Sequence, residues 1–232
     1  MASRPIFLPA ADNTKLVREV SVDFFWHKGM APSQKRKNVV ELHEAAEKRG
    51  ISPLLEVSTK SDELLGQRLS AFNLKVELGD GQSVPLECVF QGSKVFRDGG
   101  PYHDLFFVDG RVAKRDERLS SSGPLVGFNF EGLEVGLEPK TAFYDWLYIR
   151  AIFPHREFLK KRLHKYKGFT DIEFNPEKSI NCQARSCATF VALDVLDLLD
   201  EAMTSTDRFI ELLRPGAQIQ PHSHADRQSA LF

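Results

Sequence analysis

Apolar residues recur at helical spacing over much of the chain, and the predicted helices outnumber the predicted strands. The clearest helix lies over 138–153, where Phe143, Leu147 and Ile152 give the apolar spacing and Pro154 ends the helix. Further helices are predicted over 32–49, 60–68, 109–119, 156–165, 179–193 and within 195–213. This pattern predicts the α+β class, as a predominantly helical single domain.

Short strands are predicted only near the N-terminus. Residues 20–26 and 51–58 have the β-branched and aromatic content of strands, and a third strand precedes the Gly-Asp-Gly turn at 79–81. The Gly- and Ser-rich stretch 120–136 predicts a loop or an irregular hairpin. Residues 169–176 are polar and without periodicity, so we expect them to be irregular.

The segment 69–96 carries the most informative pattern of the chain. It predicts a strand, a turn and a helix, with Pro85 in the first helical turn. Glu87, Gln91 and Lys94 are spaced by four and three residues, so they share one face of an otherwise apolar helix. Polar side chains on a buried helix need one another or a ligand. A solvated polar stripe is the alternative interpretation.

Composition limits the class of protein. A length of 232 residues suits one domain of good size, and a net charge of −1 argues against coating nucleic acid by bulk electrostatics. The three cysteines have no metal-ligand spacing and predict free thiols in a reducing compartment. The chain shows neither a membrane-length apolar run nor the apolar core of a signal peptide. We therefore expect a soluble, cytoplasmic protein.

Other candidate chemistry is less specific. The basic run 155–167 suits a solvated helix face or a surface for nucleic-acid phosphates, and composition does not decide between them. Residues 169–186 suit a helix-capping loop or a cradle for sugar and phosphate. His222 and His224 have no partners at useful metal-binding spacing, and Cys182 has no nearby histidine to activate it as a nucleophile.

Two motifs in these segments resemble the NADAR superfamily, whose members include N-glycosidases of riboflavin-biosynthesis intermediates. The first is similar to an LSNF-like strand followed by an E-x-x-x-Q-x-x-K-F helix, and consists of Leu69, Ser70, Ala71, Phe72, Asn73, Glu87, Gln91, Lys94 and Phe96. The second is looser, and consists of Asp171, Ile172, Glu173 and Phe174 with Asn181, Cys182, Gln183, Ala184 and Arg185. The resemblance spans 66–195. Ala71 stands where the motif has asparagine, and Phe174 where tryptophan is common.

Two further segments, 22–61 and 138–151, are similar to one branch of this superfamily: the antitoxins that accompany DarT-type DNA ADP-ribosyltransferase toxins. The resemblance implies an enzyme that hydrolyses the N-glycosidic bond between ADP-ribose and the amino group of guanine in DNA, and so reverses the toxin. Its expected partners are ADP-ribosylated DNA, the product ADP-ribose and the paired toxin. It implies no metal or redox cofactor.

The resemblance also implies roles for individual residues. Glu87 is the first choice, and Asp171 the second, for the carboxylate that stabilises oxocarbenium-like charge or activates water. Lys94 is expected to donate a proton, to bind phosphate, or to form a Schiff base. The substrate-binding candidates are Ser70, Asn73, Gln91, Trp146, Glu173, Phe174, Asn181, Gln183 and Arg185. Among them, Phe174 or Trp146 is expected to stack on a base, and Arg185 to face phosphate.

The expected organisation is an N-terminal extension over 1–65, a NADAR-like catalytic core over 66–214 and a flexible C-terminal tail over 215–232. Two alternatives to the DNA enzyme stay open at this stage. One is an N-glycosidase of small riboflavin-pathway nucleotides. The other is a non-catalytic module that binds ADP-ribose.

Overall fold

The computed structural model describes residues 1–12, 15–29, 31–177 and 179–214. Its strands are β1 (Ala2–Asp12), β2 (Lys15–Phe24), β3 (Leu54–Glu56), β4 (Lys75–Glu77), β5 (Ser83–Pro85), β6 (Lys94–Phe96), β7 (Leu125–Phe130), β8 (Leu133–Val135) and β9 (Gly168–Thr170). Its α-helices are α1 (Pro32–Glu47), α2 (Leu64–Arg68), α3 (Leu86–Gly92), α4 (Gly110–Lys114), α5 (Arg118–Ser121), α6 (Ala142–Ile152), α7 (Arg156–Leu163), α8 (Gln183–Val195), α9 (Leu199–Ala202) and α10 (Thr206–Leu213). Two 3₁₀ helices lie at His103–Phe107 and Phe153–His155.

The strands form three sheets. The largest has the order β2-β1-β9-β3, in which β3 and β9 are parallel and the other pairs are antiparallel. β6, β7 and β8 form an antiparallel meander, and β4 pairs with β5. Helices α6 and α8 pack on each other, and α8 also packs on β1. Both helices are buried over most of their length, so they form the centre of the main core.

The prediction that strands lie only near the N-terminus is wrong. The fold is a mixed α/β arrangement, because β6–β8 lie in the middle of the chain and β9 follows α7. The long strand β1 was not predicted, since Pro5 and Pro9 interrupt its sequence and proline cannot donate to a ladder. β1 is nevertheless paired with β2 through Pro5–Ser21 and Pro9–Val17.

The predicted boundary at residue 65 stays a prediction. β1 and β3, which precede it, share a sheet with β9, which follows it. The predicted tail, with His222 and His224, lies outside the described residues. Within the ranges that are described, no helix combines the length and apolar character needed to cross a bilayer.

Candidate active site

Glu87, Gln91 and Lys94 form a continuous hydrogen-bonded line. The Gln91 Nε2 donates to Glu87 Oε1 at 2.9 Å, and the Lys94 Nζ donates to Gln91 Oε1 at 2.6 Å. Glu87 and Gln91 are each only 5% exposed, which makes the carboxylate dependent on these partners. The three residues that the spacing had aligned are therefore in contact in the structure.

The spacing had suggested that Lys94 lies on the helix, but the structure places it on β6. α3 ends at Gly92, where a Cβ would meet the Phe106 ring and the Tyr102 carbonyl at 2.7 Å, so only glycine fits this position. The chain then turns into β6 and carries the Lys94 ammonium to 4.9 Å from the centroid of the Phe90 ring. Burial lowers the pKa of Lys94, although the charge of Glu87 acts to raise it.

The Glu87 carboxylate meets an exposed edge of the protein. The Lys114 Nζ lies 3.6 Å from Glu87 Oε1 and 5.6 Å from the centroid of the Phe72 ring. Phe72 is 40% exposed. Gly110 separates the two side chains: a Cβ there would lie 3.5 Å from the Phe72 ring and 3.6 Å from Glu87 Cβ. The carboxylate thus lies beside an exposed cation that also reaches an accessible aromatic ring.

A second cluster surrounds Asp171. Its Oδ2 accepts from Gln183 Nε2 at 3.0 Å, and its Oδ1 accepts from the N–H of Glu173 at 3.0 Å. The Gln183 Oε1 in turn accepts from the N–H of Ala71 at 2.7 Å. Gln183 therefore ties the second predicted motif to the first. Burial raises the pKa of Asp171 to about 7, while part of the residue keeps contact with solvent.

Glu56 is a member of this cluster that the sequence did not indicate. It is 2% exposed and accepts hydrogen bonds from Ser58 Oγ at 2.5 Å, Thr170 Oγ1 at 2.7 Å and the N–H of Ile172 at 2.9 Å. These bonds hold both neighbours of Asp171 in place. Burial, followed by the charge of Asp171, raises the pKa of Glu56 to about 8. The only sequence signal for Glu56 was that it is the single acid in the apolar stretch that contains β3.

We expect the buried Glu56 to make folding stability fall with rising pH. Between pH 6.5 and 8 the unfolded glutamate is ionised, whereas the folded one retains its proton, so the folded state binds more protons. His43, whose pKa burial lowers to about 4, is neutral in this window, and Asp171, whose pKa burial raises to about 7, adds to the fall in the lower half of it. The free energy of unfolding should drop by about 2 kcal/mol across it.

The substitution Glu56→Gln should remove most of this slope. Its amide offers one oxygen to Ser58 and Ile172 and an N–H to Thr170, so the local bonds survive. Urea unfolding at several pH values measures the effect, with the exposed Glu44→Gln as control. An unchanged slope in Glu56→Gln would show that this residue does not hold the proton.

Tyr144 packs against Phe90 beside the first cluster, and the sequence analysis did not identify it. Its ring meets the Phe90 ring edge-on at 5.0 Å between centroids, and the residue is 6% exposed. Burial, with the negative charges of Glu87 and Asp171, raises the pKa of Tyr144 well above its ordinary value. Its hydroxyl therefore stays protonated and is available as a hydrogen-bond donor.

The other polar candidates lie at the start of α8 or in the Leu69–Asn73 turn. The Ser70 Oγ and Asn181 Oδ1 atoms are buried, and within the described ranges neither has a hydrogen-bond partner. The Arg185 Nε lies 3.9 Å from Oδ2 of the fully buried Asp145. Asn73 is exposed and donates to the Gln67 carbonyl at 2.7 Å. Only Ser70 and Asn181 thus offer unused polar atoms.

The remaining candidates are not brought to Glu87 by any contact in the described chain. Glu173 lies 3.8 Å from the Lys60 ammonium, and the half-buried Phe174 ring packs against Phe7. Trp146 is 5% exposed and packs between Phe130 and Phe143. Neither aromatic residue predicted to stack on a base therefore presents an open ring beside the Glu87 carboxylate.

Part of the basic run 155–167 is paired with acids elsewhere in the chain. Arg156 Nε lies 3.1 Å from Asp200, and both Lys160 and His164 contact Asp194, at 2.9 Å and 2.6 Å. These pairs favour the interpretation as a solvated helix face over a phosphate surface. A groove of about 1520 Å³ lies beside α7, which carries most of the basic run. Glu87, Lys94 and Asp171 do not line this groove. Trp146 and Asn73 line that groove.

Thiol and metal chemistry find little support in the site. Burial raises the pKa of Cys182 well above its ordinary value, so the thiol stays protonated. Across the part of the chain that the structure describes, no three acidic, histidine or cysteine side chains come close enough to hold a metal ion. Two carboxylates, an amine and a phenol are the candidate reactive groups of the site.

Comparison with known protein families finds one match. The family model described as DarT1-associated NADAR antitoxin covers residues 2–223. No curated protein matches the chain. The family match confirms the resemblance that the two motifs indicated, and extends it over the N-terminal region.

Proposed function

Because the chain belongs to the DarT1-associated NADAR antitoxin family, we propose that it hydrolyses the bond between ADP-ribose and the amino group of guanine in DNA. The observation that carries the proposal is the buried Glu87 carboxylate, which accepts from Gln91, itself held by Lys94. The carboxylate also lies 3.6 Å from the Lys114 ammonium, which reaches the exposed Phe72 ring. Cleavage of this bond develops positive charge on the ribose, and a fixed carboxylate stabilises such charge.

In the proposed reaction, Glu87 serves as the base. One carboxylate oxygen, Oε1, accepts from Gln91 and faces Lys114, and no hydrogen bond to Oε2 is present in the described part of the chain. As the bond between the anomeric carbon and the guanine nitrogen breaks, water attacks that carbon and passes a proton to Glu87. The products are ADP-ribose and DNA with an unmodified guanine.

Asp171 is proposed as the acid. Its pKa of about 7 keeps much of it protonated near neutral pH, whereas most carboxylates are ionised there. A protonated carboxyl group gives its proton to the departing guanine nitrogen, which would otherwise leave as an anion. Two carboxylates in different environments thus divide the roles of base and acid. The protonated Tyr144 hydroxyl supplies a further donor for the ribose.

Two alternative roles are proposed for Lys94, and they differ in whether a covalent intermediate forms on the enzyme. As an ammonium it fixes the Gln91 amide, and through it Glu87. As a neutral amine, it attacks the anomeric carbon and displaces the guanine nitrogen, which takes a proton from Asp171. The resulting glycosylamine opens its ribose ring to a Schiff base, and water hydrolyses that Schiff base to release ADP-ribose and the free lysine. Only the second role creates a covalent intermediate that borohydride traps.

The test is the mass of a defined oligonucleotide. A single-stranded oligonucleotide with one ADP-ribosylated guanine is incubated with the protein, because a base within duplex DNA must first leave the stack. We expect loss of the ADP-ribosyl mass and appearance of free ADP-ribose. A parallel reaction quenched with borohydride should show an adduct on the protein only if Lys94 forms a Schiff base.

The outcomes separate the three candidate functions. Release of ADP-ribose supports the DNA enzyme. An unchanged oligonucleotide, with a working positive-control enzyme, contradicts the proposal. Cleavage of riboflavin-pathway nucleotides by the same preparation would then support the small-nucleotide N-glycosidase, and tight binding of ADP-ribose without turnover would support the binding module.

A further inference from the structure

We infer that Phe72 is the specificity residue that stacks on the guanine from which ADP-ribose is removed. This inference rests on the proposed function and adds to it the surface that recognises the base. A base next to a reacting carbon needs an aromatic face that is both accessible and close to the catalytic carboxylate. The aromatic residues around the site differ sharply in these two properties.

Phe72 alone among the aromatic residues discussed above has both properties. Its ring is 40% exposed. A Cβ placed on Gly110 would lie 3.5 Å from this ring and 3.6 Å from Glu87 Cβ, so the two side chains lie on either side of Gly110. Phe90 is covered by the Lys94 ammonium and by Tyr144, and is 6% exposed. Trp146 is buried between phenylalanines. Phe72 therefore offers an accessible ring beside Glu87.

The backbone around Phe72 is held in place before any ligand binds. The N–H of Ala71 donates to Gln183 Oε1 at 2.7 Å, and the N–H of Asn73 donates to the Ser70 carbonyl at 2.8 Å. The Tyr148 hydroxyl donates to the Leu69 carbonyl at 2.6 Å. A ring on such a fixed turn loses little freedom on binding, which favours its use as a stacking surface.

The position of Phe72 beside Glu87 also indicates whether its ring stacks on guanine or on the adenine of ADP-ribose. The guanine nitrogen is bonded directly to the carbon at which Glu87 acts, whereas the adenine of ADP-ribose lies beyond two phosphates and a second ribose. A ring in contact with the surroundings of Glu87 therefore faces guanine. Lys114, which lies over the same ring and is 58% exposed at its side chain, supplies a cation for the adjoining phosphates.

The test compares wild type with Phe72→Ala, Phe72→Trp and a matched control, Phe158→Ala. Phe158 is 55% exposed and carries the Arg162 guanidinium 5.3 Å from its ring centroid, so it matches Phe72 in exposure and in its cation. Three quantities are measured for each protein. These are kcat and KM on the ADP-ribosylated oligonucleotide, and the Kd for free ADP-ribose.

We expect Phe72→Ala to lower kcat/KM by about 10- to 100-fold, mainly through KM, because one base loses its stacking partner. Its Kd for free ADP-ribose should stay within about twofold of wild type, since that ligand has no guanine. Phe72→Trp should retain most of the activity, and Phe158→Ala all of it. Thermal unfolding checks that each variant is folded.

Three results would overturn the inference. They are an unchanged kcat/KM in Phe72→Ala, an equal loss of free ADP-ribose binding, which would assign the ring to adenine, and no rescue by tryptophan. If wild type does not cleave the oligonucleotide, the proposed function fails, but fluorescence anisotropy on the uncleaved oligonucleotide still decides the role of Phe72. Binding weaker by about 10- to 100-fold in Phe72→Ala would support it, and equal binding would contradict it.

Discussion

Glu87→Gln is expected to lower the rate of ADP-ribose release by about 10²- to 10⁴-fold, because the substitution removes the group proposed to accept the proton of water. Binding of ADP-ribose should be retained. The glutamine oxygen can still accept from Gln91 Nε2, so the line to Lys94 survives the change. The mass assay on the modified oligonucleotide measures the rate, and calorimetry measures binding of the product.

The matched control for this variant is Glu134→Gln, an exposed acid on β8. It should behave as wild type in both measurements. Full turnover by Glu87→Gln would remove Glu87 from the mechanism, whereas a parallel loss of turnover and binding would make it a binding residue and leave the base to be found elsewhere.

Asp171→Asn is expected to lower turnover by about 10²-fold or more, since the variant has no proton to give to guanine. The wild-type rate should fall as pH rises through about 7, because the acid acts in its protonated form and its pKa lies there. In Asp171→Asn this decline should be absent. A rate profile from pH 5.5 to 8.5 at saturating substrate measures both effects.

Asp171→Asn has a structural side effect that the experiment must separate from chemistry. An asparagine amide would face the Gln183 amide donor, while the Gln183 oxygen is already engaged by the N–H of Ala71. Adding Gln183→Glu restores an acceptor for both groups and keeps a carboxylate in the pair. Recovery of activity by the double variant would show that Asp171 acts by holding the turn, whereas continued loss supports its role as the acid.

Several local features follow from the sequence alone because their physical cause is local. The spacing of apolar residues determines the helices near 32–49, 138–153 and 156–165, and the structure places α1, α6 and α7 within those ranges. Spacing also identified Glu87 and Gln91 as neighbours on a buried helix, which their 5% exposure matches. The same local pattern placed Lys94 on that helix wrongly, because the chain leaves α3 after Gly92 and Lys94 pairs with β7 as part of β6.

What the sequence by itself determined is therefore the set of residue types and one hydrogen-bonded pair, Glu87 and Gln91, since neighbours in a helix are neighbours in the sequence. The tertiary structure decided which distant residues meet. Glu56 and Asp171 are adjacent only because β3 and β9 pair, and the exposed Phe72 ring reaches Glu87 only because α4 packs on α3. Burial, which sets the pKa values of both carboxylates, likewise depends on the whole packed chain and on no local pattern.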